Sequence, residues 1–305
     1  MAIAQRIAAT LIGVLALCLP AVAAAPLAWQ TPQVTAPRVT YHRFDSRAAG
    51  TQVSYHLYTP AAYTAEPGRR FPVVYWLHGS GGGLPGIAPL ARLVDAAIEA
   101  GRVPPFLLVF VNGLQLGMYV DWKDGRAPLE TVIVHELLPH VDTTYRTLAT
   151  RNGRLLDGFS MGGYGAARLG FKYPQLFRAV SLMGAGPLQQ SLTTTPRASP
   201  KTAEQLLRDV YGGEQSVFLA VSPRRHAADN PAVIAQQSLV RMVIGSRDET
   251  FGNNQAFHDY LTGLGIAHEW IVVDGVGHDP LALVNALGDR HWAFYRQAFQ
   301  TSGTP

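Results

Sequence analysis

The sequence predicts an α/β fold with a mostly parallel central sheet and helices on both of its faces. Three observations predict it: apolar runs of strand length alternate with helical segments, the runs are apolar almost without interruption, and a serine in a glycine-rich turn follows one of them. Strands buried on both faces need continuous apolar runs, and the alternation is typical of βαβ units. The 305 residues, 48% of them apolar, suffice for one large core.

The first 25 residues have the composition of a secretory signal peptide. One charge, Arg6, precedes an apolar run over 7–19, and small residues follow it. The run is too short to span a bilayer as a helix. We therefore expect export to the periplasm or beyond the cell, a single mature domain over 26–305, and no stable membrane insertion after cleavage. Cleavage would also remove Cys18, the one cysteine of the chain.

Charge and histidine spacing bear on two classes of ligand. The formal net charge is +4, and the only compact basic group is the triplet at 224–226, so we expect no nucleic-acid partner. A helix predicted over 129–142 carries His135, Glu136 and His140 at spacings that could suit a metal. Because the His-Glu-x-x-His pattern is absent, we expect no metal there.

The elements before the serine begin with a hairpin. Alternating segments at 40–44 and 51–58 predict two antiparallel strands, with His42 and His56 at the surface or the edge. The elements that follow are a strand over 71–77, a glycine-rich turn at 79–83, a helix over 87–100, a strand over 105–111, a loop over 113–125 and the helix over 129–142.

Beyond the serine, the alternation is interrupted once. A strand over 177–183 leads into 184–235, where prolines are frequent and one helix is predicted at 202–211. We interpret 184–235 as a cap inserted over the carboxyl edge of the sheet and not as a separate domain. The later elements are a strand over 239–245, a helix over 253–264, a strand over 268–273 and a closing helix over 282–299.

The serine lies in the pentapeptide Gly158-Phe159-Ser160-Met161-Gly162, which has the form G-x-S-x-G. In this pattern a serine occupies a tight turn between a strand and a helix, and the flanking glycines leave room for the turn. The pentapeptide alone recurs by chance, as a glycine-rich turn with an incidental serine. Here an apolar strand pattern precedes it and a helical segment closed by Pro174 follows it. We therefore predict Ser160 as a nucleophile.

A serine hydroxyl needs a base within hydrogen-bond reach and a third group that orients the base. His278 follows the last predicted strand in a loop with two glycines and is the predicted base, with His78 beside the other glycine-rich turn as the alternative. The orienting acid should follow a strand between Ser160 and His278. Asp248 meets this condition, and its neighbour Glu249 is the main rival.

A nucleophilic serine also needs N–H donors for the negative charge that develops on the carbonyl oxygen of a substrate, each worth about 3 to 4 kcal/mol. The backbone N–H of Met161 can supply one. We expect the second from Ser80, with Gly79 or Gly81 as alternatives. Because all these groups follow strands, they should meet at the carboxyl edge of the sheet. This chemistry needs no metal and no organic cofactor.

These motifs resemble the putative-esterase family of α/β-hydrolases, which includes esterase D, feruloyl esterases, enterochelin esterases and mycolyltransferases. The resemblance covers roughly residues 40–298, apart from 184–235, which matches no family segment. It rests on Tyr75-Trp76-Leu77-His78-Gly79, Glu136-Leu137-Leu138-Pro139, Gly158-Phe159-Ser160-Met161-Gly162-Gly163, Gly245-Ser246-Arg247-Asp248 and Gly277-His278-Asp279.

The resemblance implies an α/β-hydrolase fold in which Ser160, Asp248 and His278 form a catalytic triad and Ser80 and Met161 form the oxyanion hole. It thereby favours Asp248 over Glu249. The stretch from Tyr119 to Gly125 is similar to the loop beside the acyl pocket of feruloyl esterases, which makes Tyr119 and Trp122 candidate substrate contacts. Packing beneath the loop is the alternative for both.

The leading hypothesis is an exported serine carboxylesterase that acts on a small-molecule or polysaccharide-linked ester, of the feruloyl, acetyl or another small acyl type. Two alternatives are an acyltransferase with the same triad and a non-catalytic binding protein of the same fold. Hydrolysis of S-formylglutathione is not expected, because the cysteine pattern that such hydrolases carry near the oxyanion loop is absent. An exported protein would not meet cytosolic glutathione thioesters either.

Overall fold

A computed structural model describes residues 26–300, and within them eight strands form one sheet. The predicted signal peptide and Cys18 lie outside the described residues. The strands are β1 (Val39–Ser46), β2 (Thr51–Tyr58), β3 (Val73–Leu77), β4 (Leu107–Val111), β5 (Arg154–Phe159), β6 (Ala179–Met183), β7 (Leu239–Gly245) and β8 (Glu269–Val273).

The sheet has the strand order β1-β2-β4-β3-β5-β6-β7-β8. β1 pairs antiparallel with β2, and β2 antiparallel with β4, whereas every pairing from β4 to β8 is parallel. The predicted hairpin and the mostly parallel sheet are both confirmed. The carboxyl ends of β3, β5, β6, β7 and β8 therefore meet at one edge, which is where ligands bind in sheets of this kind.

Helices surround the sheet. They are α1 (Ala61–Ala65), α2 (Leu84–Glu99), α3 (Leu129–Thr131), α4 (Leu138–Thr144), α5 (Met161–Lys172), α6 (Pro200–Tyr211), α7 (Gln215–Ala220), α8 (Pro223–Asp229), α9 (Pro231–Gln237), α10 (Phe251–Gly263), α11 (Pro280–Leu287) and α12 (Asp289–Phe299).

Two apolar cores cover the two faces of the sheet, as β3 illustrates. Val73, Tyr75 and Leu77 pack into one core, and Val74 and Trp76 pack into the other. Successive side chains of a strand point to opposite faces, so the uninterrupted apolar run of β3 serves both cores. Residues of α5, α8 and α10 belong to the first core, and residues of α2, α11 and α12 to the second.

Three predicted helices differ from the observed ones. The helix predicted over 129–142 is α3 and α4 joined by the π-helix Val132–Leu137. The closing helix divides into α11 and α12 at Gly288, whose φ of 53° lies in the left-handed region. The segment 184–235 holds four helices, α6 to α9, where one was predicted. Proline occupies the first position of α6, α8 and α9, where its fixed φ favours a helix start.

The prediction that His56 lies at the surface or edge is wrong. The residue is 2% exposed, and its Nε2 accepts a hydrogen bond of 3.0 Å from the backbone N–H of Val34, in the segment that precedes β1. Burial lowers the pKa of His56 to about 4, which agrees with a neutral ring that accepts this bond. His42 is half-buried and stacks on Tyr55.

The residues first considered as metal ligands have other surroundings. Glu136 accepts hydrogen bonds from the Ser46 hydroxyl and from the backbone N–H of Ala48, and His140 is hydrogen-bonded to a tyrosine hydroxyl. His135 is exposed. Between residues 26 and 300, no group of three or more His, Cys, Asp or Glu side chains could hold a metal ion. Over the same range, no helix combines the length and the apolar character that crossing a membrane requires.

Candidate active site

Ser160 lies at the tight turn between β5 and α5, with φ 58° and ψ −119°. A non-glycine residue with such a φ is strained by roughly 1 to 3 kcal/mol, and strain of this kind clusters at functional sites. Backbone hydrogen bonds hold the turn: the Ser160 N–H donates to Met183 O at 2.9 Å, and its carbonyl accepts from Gly186 N–H at 3.1 Å. The hydroxyl is thereby presented at the carboxyl edge of the sheet.

The two glycines of the motif are required by close backbone approaches. A Cβ on Gly158 would lie 2.2 Å from Gly162 O, and a Cβ on Gly162 would lie 1.8 Å from Leu77 O. No side chain fits at such distances. The first approach allows the sharp turn itself, and the second allows α5 to begin directly beside the end of β3.

His278 joins the serine to the predicted acid. Its Nε2 lies 2.9 Å from Ser160 Oγ, and its Nδ1 lies 2.7 Å from Asp248 Oδ2. The carboxylate accepts, so Nδ1 carries the proton and Nε2 is free to accept the proton of the serine hydroxyl. The ring of Phe159 packs against the imidazole, with centroids 4.5 Å apart. The structure thus brings together the three side chains that the sequence indicated.

Asp248 follows β7 and its carboxylate is fully buried. Its Oδ1 accepts two hydrogen bonds of 2.8 Å, from the backbone N–H and the hydroxyl of Thr250. Burial by itself would raise the pKa of Asp248, but the hydrogen bonds from His278 and Thr250 outweigh it and hold the pKa below its ordinary value. The carboxylate is therefore ionised at neutral pH.

Thr250 and Asn254 support the acid, and sequence reasoning missed both. The Asn254 amide donates to Thr250 Oγ1 at 3.2 Å and to Ala185 O at 2.8 Å, which ties the Asp248 loop to the chain after β6. The carboxylate of an Asp in a turn often accepts from the backbone N–H two residues later, whatever the residue there. That spacing was the available signal for Thr250; Asn254 had none.

Glu249 and His78, the alternative acid and the alternative base, have other partners. Glu249 is exposed and pairs with Arg197 at 2.6 Å, whereas the carboxylate bonded to His278 is that of Asp248. His78 is buried: its Nδ1–H donates to Gly79 O at 2.7 Å, and its Nε2 accepts from Gly113 N–H at 3.0 Å. Burial lowers the pKa of His78, which keeps the ring neutral for these bonds. His78 therefore fixes the shape of the glycine-rich turn.

Gly184 is a second feature that the sequence did not reveal. It follows β6 with φ 49°, and a Cβ there would lie 2.9 Å from the Phe159 ring, 3.1 Å from Asp248 Oδ2 and 3.4 Å from His278 Nδ1. A side chain at this position would press on the bond between the acid and the imidazole. Only glycine combines this backbone conformation with the space that the two groups need.

Ser80 and Met161, the predicted N–H donors, both line the cavity that contains Ser160. Met161 is the first residue of α5, so its N–H has no acceptor within the helix. The alternative donor Gly81 is already used, since its N–H donates to Gln115 O at 2.8 Å. Ser80 and Met161 thus remain candidate donors beside the serine hydroxyl, and Gly79 remains the alternative to Ser80.

Tyr119 and Trp122 do not lie at the serine. Tyr119 is fully buried, and its hydroxyl donates to His78 O at 2.9 Å. A half-buried Trp122 lies farther along the loop, with the Arg126 guanidinium 5.4 Å from its ring centroid. Neither lines the cavity at Ser160, so the geometry favours the packing interpretation. From this loop, Leu116 and Met118 line the cavity instead.

Two cavities flank the serine and the histidine. The cap-side cavity, about 140 Å³, is lined by Ser160, Met161 and residues of the segment 184–235 such as Gln189 and Leu206. The histidine-side cavity, about 380 Å³, is lined by His278, Phe159, Leu90, Leu281 and Val284. Ser80 lines both. A molecule bound across Ser160 would therefore extend into a narrow space on one side and a wider one on the other.

Comparison with known proteins gives one family and several relatives. The profile of the family described as putative esterase matches residues 46–302. An esterase of Mycobacterium tuberculosis is 28% identical in an alignment of length 261 that covers 79% of this chain and 56% of that protein. An endo-1,4-beta-xylanase/feruloyl esterase of Xylanibacter ruminicola is 27% identical in an alignment of length 167 that covers 51% of this chain and 22% of that protein. The chain spans about half the length of the M. tuberculosis relative.

Solved structures share the fold. A ferulic acid esterase superposes with a TM-score of 0.71 at 21% identity, covering 86% of this chain and 98% of its own. A fluorophosphonate-binding serine hydrolase of Staphylococcus aureus superposes with a TM-score of 0.69 at 15% identity, covering 86% and 98%. At these identities the likeness concerns the arrangement of the chain alone.

Proposed function

Because the chain belongs to the putative esterase family, with the α/β-hydrolase fold that its motifs predicted, we propose that it is a serine carboxylesterase acting through an acyl-enzyme on Ser160. The observation that carries the proposal is the pair of hydrogen bonds made by His278, 2.9 Å to Ser160 Oγ and 2.7 Å to Asp248 Oδ2. A serine, an imidazole and a buried carboxylate in this geometry are what acyl transfer to water requires.

The reaction begins when Ser160 Oγ attacks the ester carbonyl carbon and His278 Nε2 takes the hydroxyl proton. The carbonyl oxygen becomes negative and accepts hydrogen bonds from the N–H groups of Ser80 and Met161. The ester C–O bond then breaks, and the leaving oxygen takes the proton from His278. Water attacks the acyl-enzyme in the same way, its proton passes through Nε2 to Ser160, and the acid is released. Asp248 stabilises the imidazolium in both halves.

The position of His278 supports one orientation of the ester in the site. The leaving oxygen receives its proton from Nε2, so the alcohol must extend on the side of the imidazole. The histidine-side cavity therefore holds the alcohol, and the cap-side cavity holds the acyl group. Their sizes, about 380 Å³ and about 140 Å³, suit a small acyl group on a larger alcohol. Feruloyl, acetyl and other small acyl esters all meet this description, whether on a small molecule or a polysaccharide.

Export is part of the proposal and rests on the composition of the first 25 residues. Acting outside the cytoplasm would give the enzyme access to polysaccharide-linked esters. The mass of the protein recovered from periplasm or medium tests the predicted export. Removal of the leader would shorten the chain by about 25 residues.

Labelling with a fluorophosphonate tests the nucleophile directly. An activated serine forms an O–P bond with the probe and displaces fluoride, whereas an unactivated serine does not react. We expect a single adduct on the peptide that contains Ser160, and hydrolysis of at least one ester in a panel of feruloylated, acetylated and siderophore substrates. An unlabelled Ser160 in the folded protein would overturn the proposal.

The Gly184→Ala variant is expected to lose stability and activity together. The left-handed φ and the short distances to Phe159, Asp248 and His278 should lower the free energy of unfolding by about 1 to 3 kcal/mol. Displacement of the imidazole should lower kcat/KM by up to about 100-fold. Denaturant unfolding and hydrolysis of p-nitrophenyl acetate measure the two effects.

Gly252→Ala is the matched control for this substitution. Gly252 lies in α10, where an added Cβ meets no atom within 4 Å. Alanine also favours a helix over glycine, so the control should be at least as stable as the parent and equally active. Equal behaviour of the two variants would contradict the role given to Gly184.

A further inference from the structure

The wall of the cap-side cavity contains a polar group that the reaction does not use. Gln189 accepts a hydrogen bond of 3.2 Å at its Oε1 from the side-chain amide of Asn253. Its Nε2 is buried and has no hydrogen-bond partner among residues 26–300. Both residues line the cavity that contains Ser160. A buried donor left without an acceptor destabilises a folded protein and is rare, so one beside a substrate cavity is a candidate for contact with the substrate.

The pairing with Asn253 decides which atom of the Gln189 amide is free. Because Gln189 Oε1 accepts from Asn253, the NH₂ group of Gln189 is the free one. An NH₂ group only donates, so an oxygen acceptor on a bound molecule would satisfy it.

The rest of the wall is partly apolar and partly polar, and serine and threonine side chains also line it. Leu116, Met118 and Leu206 contribute apolar surface. Arg197 also lines the cavity, but its guanidinium is paired with the Glu249 carboxylate at 2.6 Å, so the pair carries no net charge. The free amide donor therefore favours a neutral oxygen acceptor over a carboxylate.

We propose that Gln189 determines acyl specificity by donating a hydrogen bond to an ether, hydroxyl or carbonyl oxygen carried by the acyl group away from the ester. The inference rests on the proposed function, which assigns the cap-side cavity to the acyl group. An acyl group that carries such an oxygen satisfies the donor. A hydrocarbon group of the same size leaves the donor unpaired inside the complex, and sites built on a hydrogen bond discriminate strongly against such analogues.

The test uses p-nitrophenyl esters of straight acyl chains of equal length, in which an ether oxygen replaces one CH₂ at each position in turn. For each ester, kcat/KM is divided by that of the all-carbon chain, in the parent enzyme and in Gln189→Leu. Inductive effects on the ester are the same for both enzymes and cancel in the comparison. We expect the ratio at one oxygen position to be roughly 5 to 100 times lower in Gln189→Leu.

Three further measurements make the outcome decisive. Gln189→Glu keeps the size of the side chain but replaces the donor by an acceptor, so it should lose the same preference even if Gln189→Leu folds poorly. Gln190→Leu, an exposed neighbour that does not line the cavity, should keep the ratios of the parent. A chain ending in a carboxylate should be hydrolysed more slowly than its ether counterpart.

The failures of the two proposals are distinguishable. If the parent hydrolyses p-nitrophenyl acetate and every ether ratio is the same in the parent and both Gln189 variants, the role of Gln189 is overturned and the esterase proposal stands. If a carboxylate chain is preferred, the acceptor class is wrong and Arg197 is the recognising group. If the folded parent hydrolyses no ester, both proposals fall.

Discussion

Ser160→Ala is expected to lower kcat for short p-nitrophenyl esters by about 10⁶-fold, as loss of a triad serine does elsewhere. The substitution removes the oxygen that forms the acyl-enzyme and leaves the N–H donors of Ser80 and Met161 in place. Residual hydrolysis above the rate in water should therefore remain. Steady-state release of p-nitrophenol, with an assay long enough to reach the uncatalysed rate, measures both.

The serine and the histidine should act as a unit. Combining Ser160→Ala with His278→Ala is expected to slow the reaction little beyond Ser160→Ala alone, because the base has no function without the hydroxyl that it deprotonates. Ser216→Ala, on the exposed side of α7, is the control for serine loss and should retain full activity. Full activity of Ser160→Ala itself would mean that another group attacks the ester.

The arrangement of the site could be predicted because a parallel sheet aligns its strand ends. Ser160, Asp248 and His278 each follow a strand, and the order of the three along the chain matched a known pattern. Spacing between them mattered little, since β5, β7 and β8 carry them to the same edge whatever lies between. The segment 184–235 was predicted less well. Its frequent prolines indicate irregular chain, but Pro200, Pro223 and Pro231 each occupy the first position of a helix, where proline favours a helix start.

The residues that sequence reasoning missed have their roles through contacts between distant segments. Gly184 is restricted by Phe159, Asp248 and His278, which belong to three other segments of the chain. Gln189 has its Oε1 bonded to Asn253, on α10, while its buried Nε2 has no partner. His56 is buried because the chain before β1 crosses it. None of these contacts produces a periodic or local pattern in the sequence, so only the structure reveals them.

Asp248→Asn is expected to lower kcat/KM by about 10⁴-fold with little change in the fold. The reason lies in the two donors of Thr250, which both point at Oδ1. The substituted amide must place its oxygen there to accept them, so its NH₂ group faces His278 Nδ1. That nitrogen can then only accept, the ring proton moves to Nε2, and Nε2 can no longer take the proton of Ser160.

The matched control is Glu249→Gln, which removes one carboxylate from the adjacent position. Glu249 is exposed and pairs with Arg197, so this variant should stay within about twofold of the parent in kcat/KM, as surface substitutions usually do.

A second test adds Thr250→Val to Asp248→Asn. Because the hydroxyl donor is then gone, the amide of the substituted side chain is held less firmly, and the double variant should recover part of the lost rate. If Glu249→Gln were slow and Asp248→Asn were not, the acid would be Glu249. If neither Asp248→Asn nor Glu249→Gln were slow, packing against Gly184 and Phe159 alone would orient the imidazole.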